Sequence, residues 1–408
     1  MTPETSHPNS AVKEAKMPHQ HLISCGSNGK GQLGNGSFED TYYFGLCHFS
    51  SPDGSIITPK PPPNFNSISK ISTGGNHTLL LATEENEDER ENILQLQLYG
   101  CGDNSRGQLH PSRPKMLDSS AFRPLSLGIV EEEYVPIEIE ASWETSYVVY
   151  RSPQSRAKSD VLVSFGANDF GDLGTGPLPL QNVPSSKGKE KKLSGDGIHI
   201  LSFDHLLPPR TESFQIIHLT AGVHHVLAVL QLSPSSQQLL VGWGSCRHGQ
   251  LGPIPTNLVS AKNAKTPSFI DRPITIQLPI STNSESGRIV GIAAGSQHSV
   301  IHLSSGRLVS LGSDRKRQLS GLTDVSSVTQ IKCTWNGTYI VSREPGGLRA
   351  TGSGEKGQLG VGIGQLTGTL QDVQFRTEDA GSLSLEKLVC GSEHVLALLQ
   401  PRGENQNG

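Results

Sequence analysis

The most constraining feature of this sequence is a nine-residue block that occurs six times. Its shared form is G-x4-G-[QD]-L-G, and one copy has Arg317 in place of the second glycine. The six copies begin at Gly26, Gly102, Gly166, Gly244, Gly312 and Gly352. All six contain a leucine, at Leu33, Leu109, Leu173, Leu251, Leu319 and Leu359. A block repeated along the whole chain indicates a repeat architecture, in which each unit completes its core against its neighbours.

A second block alternates with the first and shows what the repeat unit is. It reads GGNHTLLL from residue 74 and GSEHVLAL from residue 391, with four further copies between them. Each copy leads into a β-rich stretch, a turn and another β-rich stretch that ends at the next first block. In SVIHLSSGRLVSLGS (299–313), SSGR separates two alternating apolar segments, which is typical of an antiparallel hairpin. The repeat unit is therefore predicted to be a small antiparallel sheet.

These units predict an all-β fold, a β-propeller with six recognisable blades. A small sheet cannot bury both of its faces alone, so radial stacking of blades is the favoured arrangement, and an extended solenoid of strands is the weaker alternative. We expect a single propeller over 21–399 with loop insertions at 84–91 and 177–210. Residues 1–20 are predicted to be a disordered lead, and 400–408 a flexible tail.

The glycines and leucines of the first block have separate structural roles in this interpretation. Glycine makes up 45 of 408 residues, a share above the usual value of about 7%. Turns with positive φ, and places where two backbones touch, admit little else. The leucine is expected to fill the space between neighbouring sheets, where burying its side chain contributes about 1.5 to 3 kcal/mol.

Composition excludes several classes of function. The chain has 34 Lys and Arg against 38 Asp and Glu, a net charge of −4, which argues against a general nucleic-acid or anionic-membrane binder. The N-terminus has no signal-peptide or transit profile, so we expect a protein of the cytoplasm or the nucleus. The six cysteines include no CxxC pair, which favours reduced, packed thiols over a zinc site or a disulfide framework.

No catalytic residue, metal site or cofactor site is predicted. Four of the six second blocks have a histidine at the same position, namely His77, His225, His298 and His394. They could cluster at a central metal site, but each belongs to a different blade, and structural capping of a turn is favoured. The glycine-rich blocks lack the GK[ST] of a phosphate loop, and the chain has no G-x-S-x-G motif. We therefore expect a protein that is not an enzyme.

Departures from the repeat indicate candidate partner-binding residues. Trp143 with Glu144, and Trp335, stand where sister copies have small or polar residues. Trp243 precedes a first block that carries Arg247 and His248. Tryptophan and arginine are enriched in interface hot spots. The competing interpretation is that the tryptophans pack between blades.

Three charge runs complete the pattern. They are the acidic EENEDERE (84–91), the acidic EEEY (131–134) and the basic KGKEKK (187–192). We interpret them as solvated loop tips that could steer a charged partner.

With both blocks considered together, the chain resembles the regulator-of-chromosome-condensation repeat family. That family's propellers carry a G-x-N-x-x-G-Q-L-G segment and an A-G-x-x-H-[ST] segment in each repeat, and the resemblance here runs from about His21 to Leu399. The first third of the chain is similar to the fungal α-tubulin suppressor, or killer-toxin insensitivity, subfamily. Members of that subfamily have seven blades, whereas this chain stops soon after GSEHVLALL. The resemblance therefore implies either a six-bladed ring or a family template without its last blade.

What the resemblance implies is a non-enzymatic scaffold. Its partner would be a small zinc-ribbon, iron-binding electron carrier that acts in diphthamide synthesis and in Elongator-dependent modification of wobble uridines in tRNA. The alternative is guanine-nucleotide exchange on a Ran-type small GTPase. The N-terminal lead contains only Lys13 and Lys16 as basic residues, which weighs against the exchange factor that is anchored to chromatin by a basic tail.

Overall fold

The computed structural model is an all-β structure. It describes residues 20–401 except for 52–53, 55–56, 86–93, 111–118, 128–133, 156, 177–193, 256–266, 280–286, 344–346, 355–358, 360–365 and 374–382. Two three-residue 3-10 segments, Asp204–Leu206 and Leu322–Asp324, interrupt the strands. Within the part of the chain that is described, no helix is long and apolar enough to cross a membrane.

The strands form six sheets, which we number as blades. Blade 1 contains β1 (His21–Gly26), β2 (Thr41–Leu46), β24 (Leu383–Cys390) and β25 (His394–Pro401). Blade 2 contains β3 (Phe49–Ser50), β4 (Ile57–Thr58), β5 (Phe65–Thr73), β6 (His77–Glu85), β7 (Leu94–Gly102) and β8 (Ser119–Pro124). Blade 3 contains β9 (Val135–Ala141), β10 (Thr145–Arg151), β11 (Val161–Ala167) and β12 (Ser194–Ile200).

The remaining blades follow in chain order. Blade 4 contains β13 (Ser213–Ala221), β14 (His225–Ser233), β15 (Gln238–Ser245) and β16 (Phe269–Thr275). Blade 5 contains β17 (Ile289–Ala294), β18 (His298–Leu303) and β19 (Leu308–Gly312). Blade 6 contains β20 (Val328–Thr334), β21 (Gly337–Ser342), β22 (Leu348–Ser353) and β23 (Leu366–Asp372).

The first and last parts of the chain share one blade, and this closes the ring. β1 pairs antiparallel with β25, with His21 opposite Leu399 and Gly26 opposite His394. Strands from both ends of the chain therefore stabilise the same sheet, a common way to close a propeller. The predicted six-bladed, all-β propeller is confirmed, and the described residues contain no seventh sheet.

Both repeated blocks lie on one face of the disc. The second block forms a tight hairpin turn, as in blade 2, where the Gly74 N–H donates to the His77 carbonyl at 2.9 Å. β6 then starts at His77, which lies opposite Gly102 at the end of β7. The first block begins at that glycine. We therefore call this side of the disc the turn face, and we call the first blocks that follow Gly26, Gly102, Gly166, Gly244, Gly312 and Gly352 loops 1 to 6.

The glycine that starts each of these loops has a backbone that other residues cannot adopt. All six have positive φ, between 90° and 126°. At Gly102, an added Cβ would lie 2.4 Å from the carbonyl oxygen of Asn76 in the neighbouring turn. The same contact recurs in the other blades, so the glycine is required both by its φ and by the close approach of two backbones.

The repeated leucine packs between blades. Leu251 is fully buried and clusters with Leu227 of blade 4 and Ile301 of blade 5. Four of the other copies are also buried, whereas Leu319 in loop 5 is only half-buried. The leucines thus contribute to the apolar layers that hold neighbouring blades together.

Several sequence features fall outside the described residues. They are residues 1–19 of the predicted lead, residues 86–91 of the acidic run, residues 131–133 of the second acidic run, and the basic run 187–192. Of the predicted insertion at 177–210, the structure describes residues 194–210, which include β12. The hairpin predicted around SSGR is confirmed as β18 and β19.

Candidate functional site at the axis of the turn face

The six second-block turns meet around the propeller axis and line a small axial cavity. Backbone hydrogen bonds connect the turns of successive blades. Five such bonds run from a backbone N–H to a carbonyl of the next turn: Ser392 to Gly74 (3.3 Å), Gly75 to Trp143 (3.0 Å), Trp143 to Val223 (3.1 Å), Val223 to Gly295 (3.2 Å) and Ser296 to Trp335 (2.9 Å). Backbone hydrogen bonds therefore link the turns of all six blades in series around the axial cavity.

Two tryptophans from opposite blades meet in this ring. Trp143 comes from the turn of blade 3 and Trp335 from the turn of blade 6, and their ring centroids are 4.8 Å apart with an interplanar angle of 40°. Both side chains are half-buried. A Cβ on Gly75 would lie 2.9 Å from the Trp143 indole, so that glycine leaves room for the ring. Sequence reasoning singled out both tryptophans, and the structure brings them together.

A charged group lies beside Trp143. Glu144 faces Arg106 of loop 2, with 3.9 Å between its Oε2 and Nε, and the Arg106 Nη2 donates to Asp169 of loop 3 at 3.0 Å. All three side chains are about one-fifth exposed. Sequence reasoning identified Glu144 but missed Arg106 and Asp169. Their only signal was a charged residue at a variable position of the first block, which by itself does not show that the loops are adjacent.

An aromatic and acidic pair extends the site outward. The His224 Nδ1 lies 3.1 Å from Asp172 Oδ1, and the His224 ring lies 4.4 Å from the Phe170 ring. Asp172 stands where most copies of the first block have glutamine. The axial site thus combines half-buried aromatic side chains with charged side chains on loops 2 and 3 and on the turn of blade 3.

Trp243 is not on this face, and its predicted place on a partner surface is wrong, because its side chain has no exposed area. Its side chain is fully buried, its Nε1–H donates to the Asp172 carbonyl at 2.8 Å, and its ring packs edge-on against Tyr147 at 6.1 Å. Trp243 lies within strand β15, so it faces the core between blades 3 and 4, whereas Trp143 and Trp335 lie in turns. For Trp243 the interpretation as a residue packed between blades is the correct one.

Arg247 and His248 lie on loop 4, on the outer part of the turn face. Arg247 is exposed and His248 is half-buried. Burial, together with the charges of Arg315 and Arg247, lowers the pKa of His248. Since Arg315 belongs to loop 5, loops 4 and 5 together form one basic patch.

The second-block histidines connect neighbouring blades rather than cap their own turns. The Nε2 atom of each histidine lies within hydrogen-bond distance of a hydroxyl group on the next blade. The pairs are His77 with Ser146 (2.9 Å), His225 with Ser299 (2.8 Å), His298 with Thr338 (3.0 Å) and His394 with Thr78 (3.2 Å). Each hydroxyl donates its single hydrogen to the carbonyl of the first-block glutamine, as Ser146 does to Gln108 at 2.6 Å. The hydroxyl must therefore accept from Nε2–H, which sets the tautomer.

Burial keeps these histidines neutral. It lowers the pKa of His77 and His298 to about 4 and the pKa of His225 and His394 to about 3. Their Nδ1 atoms are buried with no hydrogen-bond partner among the described residues, so a second proton would have no acceptor. In the same part of the chain, no three His, Cys, Asp or Glu side chains are grouped so that they could hold a metal ion.

Burial has the opposite effect on the pKa of one carboxyl group, that of Glu140. Glu140 lies on the inner strand β9, and burial raises its pKa to about 7. Ser72 of blade 2 donates to it at 3.1 Å. Nearby, Lys70 pairs with Glu138 at 2.7 Å. The inner strands therefore carry polar contacts between blades 2 and 3.

Comparison with known proteins agrees with this architecture. Residues 21–81 and 68–108 match two models that are both described as Regulator of chromosome condensation (RCC1) repeat. The chain is 27% identical over 338 residues to an RCC1 repeat-containing protein of Schizosaccharomyces pombe, which covers 79% of this chain and 74% of that protein. It is 24% identical over 429 residues to the secretion-regulating guanine nucleotide exchange factor of Bos taurus, which covers 98% of this chain and 75% of that protein.

A solved structure has the same fold. Prp20p from Saccharomyces cerevisiae superimposes with a TM-score of 0.56 at 14% identity, covering 95% of this chain and 93% of that one. The repeated glycine turns and the six-bladed ring are thus accompanied by sequence similarity to RCC1 repeats over residues 21–108 and to an RCC1 repeat-containing protein over 79% of the chain.

Proposed function

We propose that this protein is a non-enzymatic interaction scaffold that binds another protein through the axial part of its turn face. The observation that carries the proposal is the Trp143–Trp335 pair, which is half-buried at the mouth of the channel. Half-exposed tryptophans on a rigid support are suited to be hot spots, because they add apolar contact area without a large loss of side-chain freedom.

The charges around the pair would orient the partner. Glu144 on the turn of blade 3, Arg106 on loop 2 and Asp169 on loop 3 form one network of charges. Such fixed charges contribute to specificity and to the rate of association more than to affinity. The proposed surface therefore has an aromatic centre and a charged side.

For the partner we propose a small zinc-ribbon, iron-binding electron carrier, with a role in diphthamide synthesis and in Elongator-dependent tRNA modification. Support for this partner is the resemblance of the first third of the chain to the α-tubulin suppressor subfamily. No step of bond chemistry is assigned to the propeller itself.

Guanine-nucleotide exchange is the second candidate function. It is favoured by the similarity to the bovine guanine nucleotide exchange factor over 98% of this chain. Prp20p, which has the same fold, has binding properties to Gsp1p and histones. In this alternative, a Ran-type small GTPase would occupy the turn face and release its nucleotide there.

The two candidates can be tested with purified proteins. The zinc-ribbon carrier and a Ran-type GTPase loaded with fluorescent GDP are each titrated against the propeller, with calorimetry for binding and fluorescence for nucleotide release. Tight binding of the carrier supports the first candidate. Accelerated release of GDP supports the second.

Whichever partner binds, we expect Trp143→Ala and Trp335→Ala each to weaken binding by about 30-fold, or about 2 kcal/mol. Tyr43→Ala is a matched control, because this side chain is an aromatic on β2 that is 86% exposed and lies away from the axis. Unchanged affinity in both tryptophan variants would remove the axial pair from the binding surface.

A further inference from the structure

Blade 5 is one strand short. In the other blades the third strand is followed by an outer strand, which is β2, β8, β12, β16 or β23. Blade 5 consists of β17, β18 and β19 alone, and the described chain continues from loop 5 to β20 of the next blade without another strand. β19 is therefore an edge strand where its sister strands are internal.

The outer edge of β19 offers unpaired backbone groups. In its hairpin with β18, the Leu303 N–H donates to the Arg307 carbonyl at 3.0 Å. Because bonding alternates along an antiparallel pair, Leu308, Ser310 and Gly312 direct their N–H and C=O groups away from β18. The 3-10 segment Leu322–Asp324 lies close to β19. Among the described residues, no backbone hydrogen bond reaches β19 from the side opposite β18.

The equivalent edge of blade 4 shows what those groups can bind. There the Leu240 carbonyl, at the position equivalent to Leu308, accepts from the Ile276 N–H at 2.9 Å just after the outer strand β16. With the same geometry in blade 5, no described residue donates to the Leu308 carbonyl, which could therefore accept from an added strand.

Loop 4 retains the space that such a strand would need. Gly31 of loop 1 and Gly171 of loop 3 press against the outer strand of the next blade, where an added Cβ would lie 2.7 Å from Ser119 O and from Asp271 Cα, respectively. Gly249 of loop 4 is the equivalent residue and has the same left-handed backbone, with φ of 80°. The nearest atom of the described residues to a Cβ there is Gly312 Cα, at 3.8 Å. Among the described residues, the place that a fourth strand fills in the sister blades is open beside Gly249.

Positive charge lies at the turn-face end of this place. Arg247 of loop 4 and Arg315 and Arg317 of loop 5 are exposed. Arg317 has φ of 61° at the position where the five sister copies have glycine, a conformation that costs a residue with a side chain about 1 kcal/mol or more. The nearby Asp314 carboxylate accepts from the Leu319 N–H and Ser320 hydroxyl at 2.7 and 2.9 Å. The patch is thus basic, in a chain whose net charge is −4.

We infer that blade 5 binds an extended segment of a partner protein as its fourth strand, and that acidic side chains of this segment meet the arginines of loops 4 and 5. Addition of a strand to an exposed sheet edge is an established mode of peptide recognition, in which main-chain bonds give affinity and side-chain contacts give specificity. The inference rests on the proposed scaffold function, and it places a second contact region at the rim. An outer strand runs antiparallel to β19 and starts at the turn face, so the acidic residues should lie at the N-terminal end of the segment.

The probes are synthetic fluorescein-labelled peptides of defined sequence. EETVTVT has the acidic end and the alternating β-branched residues, KKTVTVT reverses the charge, and EETPTPT cannot form the ladder. We expect the full-length protein to bind EETVTVT at least about tenfold more tightly than either control in fluorescence polarisation. Equal binding of the three peptides would overturn the inference.

Variants identify the site. Arg247→Glu combined with Arg315→Glu should lower affinity for EETVTVT by about tenfold and should raise affinity for KKTVTVT. Ser310→Pro removes an N–H group that points away from β18, so it should abolish binding. If this proline variant does not fold, the double arginine variant still decides the question, because it changes exposed side chains only. Unchanged binding by the arginine variant would contradict the inference.

Two further measurements decide what occupies the edge. The amides of Ser310 and Gly312 should exchange rapidly in the free protein and become protected by EETVTVT. If these amides are already protected in the free protein, the chain's own residues cover the edge. If the protein forms a dimer that Ser310→Pro disrupts, a second copy covers the edge. Either result overturns the inference. Trp143→Ala should bind EETVTVT normally, so failure of the axial site and failure of the blade 5 edge are distinguishable.

Discussion

Acidification from pH 7 to pH 5 is expected to lower the free energy of unfolding of this propeller by several kcal/mol. Four buried histidines cause the loss, each contributing about 2 kcal/mol by pH 5. Burial lowers their pKa values to about 3 or 4 in the folded protein. A domain of ordinary stability, about 5 to 15 kcal/mol, would lose a large share of it.

The sign of this effect follows from where the protons bind. Well above pH 6.5 the histidines are neutral in both the folded and the unfolded chain, so their contribution to stability is complete. As the pH falls below 6.5, the unfolded chain takes up protons first, and stability is lost progressively as the pH falls toward the folded pKa values. Glu140 opposes part of this loss, because its raised pKa of about 7 means that the folded state takes up its proton first.

Urea unfolding at half-unit steps from pH 7.5 to 5 measures this dependence. His77→Gln is the informative variant, because the amide can still donate to Ser146 but cannot titrate. It should be less stable at pH 7 and lose about 2 kcal/mol less than the parent protein between pH 7 and pH 5. A free energy of unfolding that stays constant over this range would show that the four histidines are not buried as neutral groups.

Leu251→Ala is expected to destabilise the protein by about 2 to 5 kcal/mol. Leu251 is fully buried among side chains of blades 4 and 5. The truncation removes apolar contacts and leaves a cavity that the two rigid sheets cannot close, so the two blades lose part of their shared core.

Leu319→Ala is the matched control for that cavity. Leu319 occupies the same repeat position in loop 5 but is only half-buried, so its truncation should cost clearly less. Thermal and urea unfolding of the two variants give the comparison. Equal losses of stability would show that the repeated leucine acts through its loop rather than through the core between blades.

The propeller could be predicted from sequence because its repeat is imposed by backbone geometry. Each loop must begin with a glycine that has positive φ and touches the neighbouring turn, as Gly102 touches Asn76, and that requirement is visible in every copy. The sequence also carries a signal for the three-stranded blade 5. Only 40 residues separate Gly312 from Gly352, and this spacing leaves little chain for an outer strand.

The candidate site was less predictable because it depends on contacts between distant repeats. Trp143 and Trp335 are far apart in sequence and meet only because blades 3 and 6 face each other across the axis. Trp243 is the same residue type but lies in a strand, where the alternation of side chains directs it into the core. Arg106 joins the site through a neighbouring loop, which no local pattern reveals.

Hydrogen exchange of the propeller with and without its bound partner tests the central claim most directly. We expect partner-dependent protection at the turns of residues 142–144, 222–224 and 334–336 on the turn face, and unchanged exchange at the hairpin tips 234–237 and 304–307 at the opposite ends of the strands. Protection confined to those tips, with the axial turns unaffected, would contradict the assignment of the turn face as the binding surface.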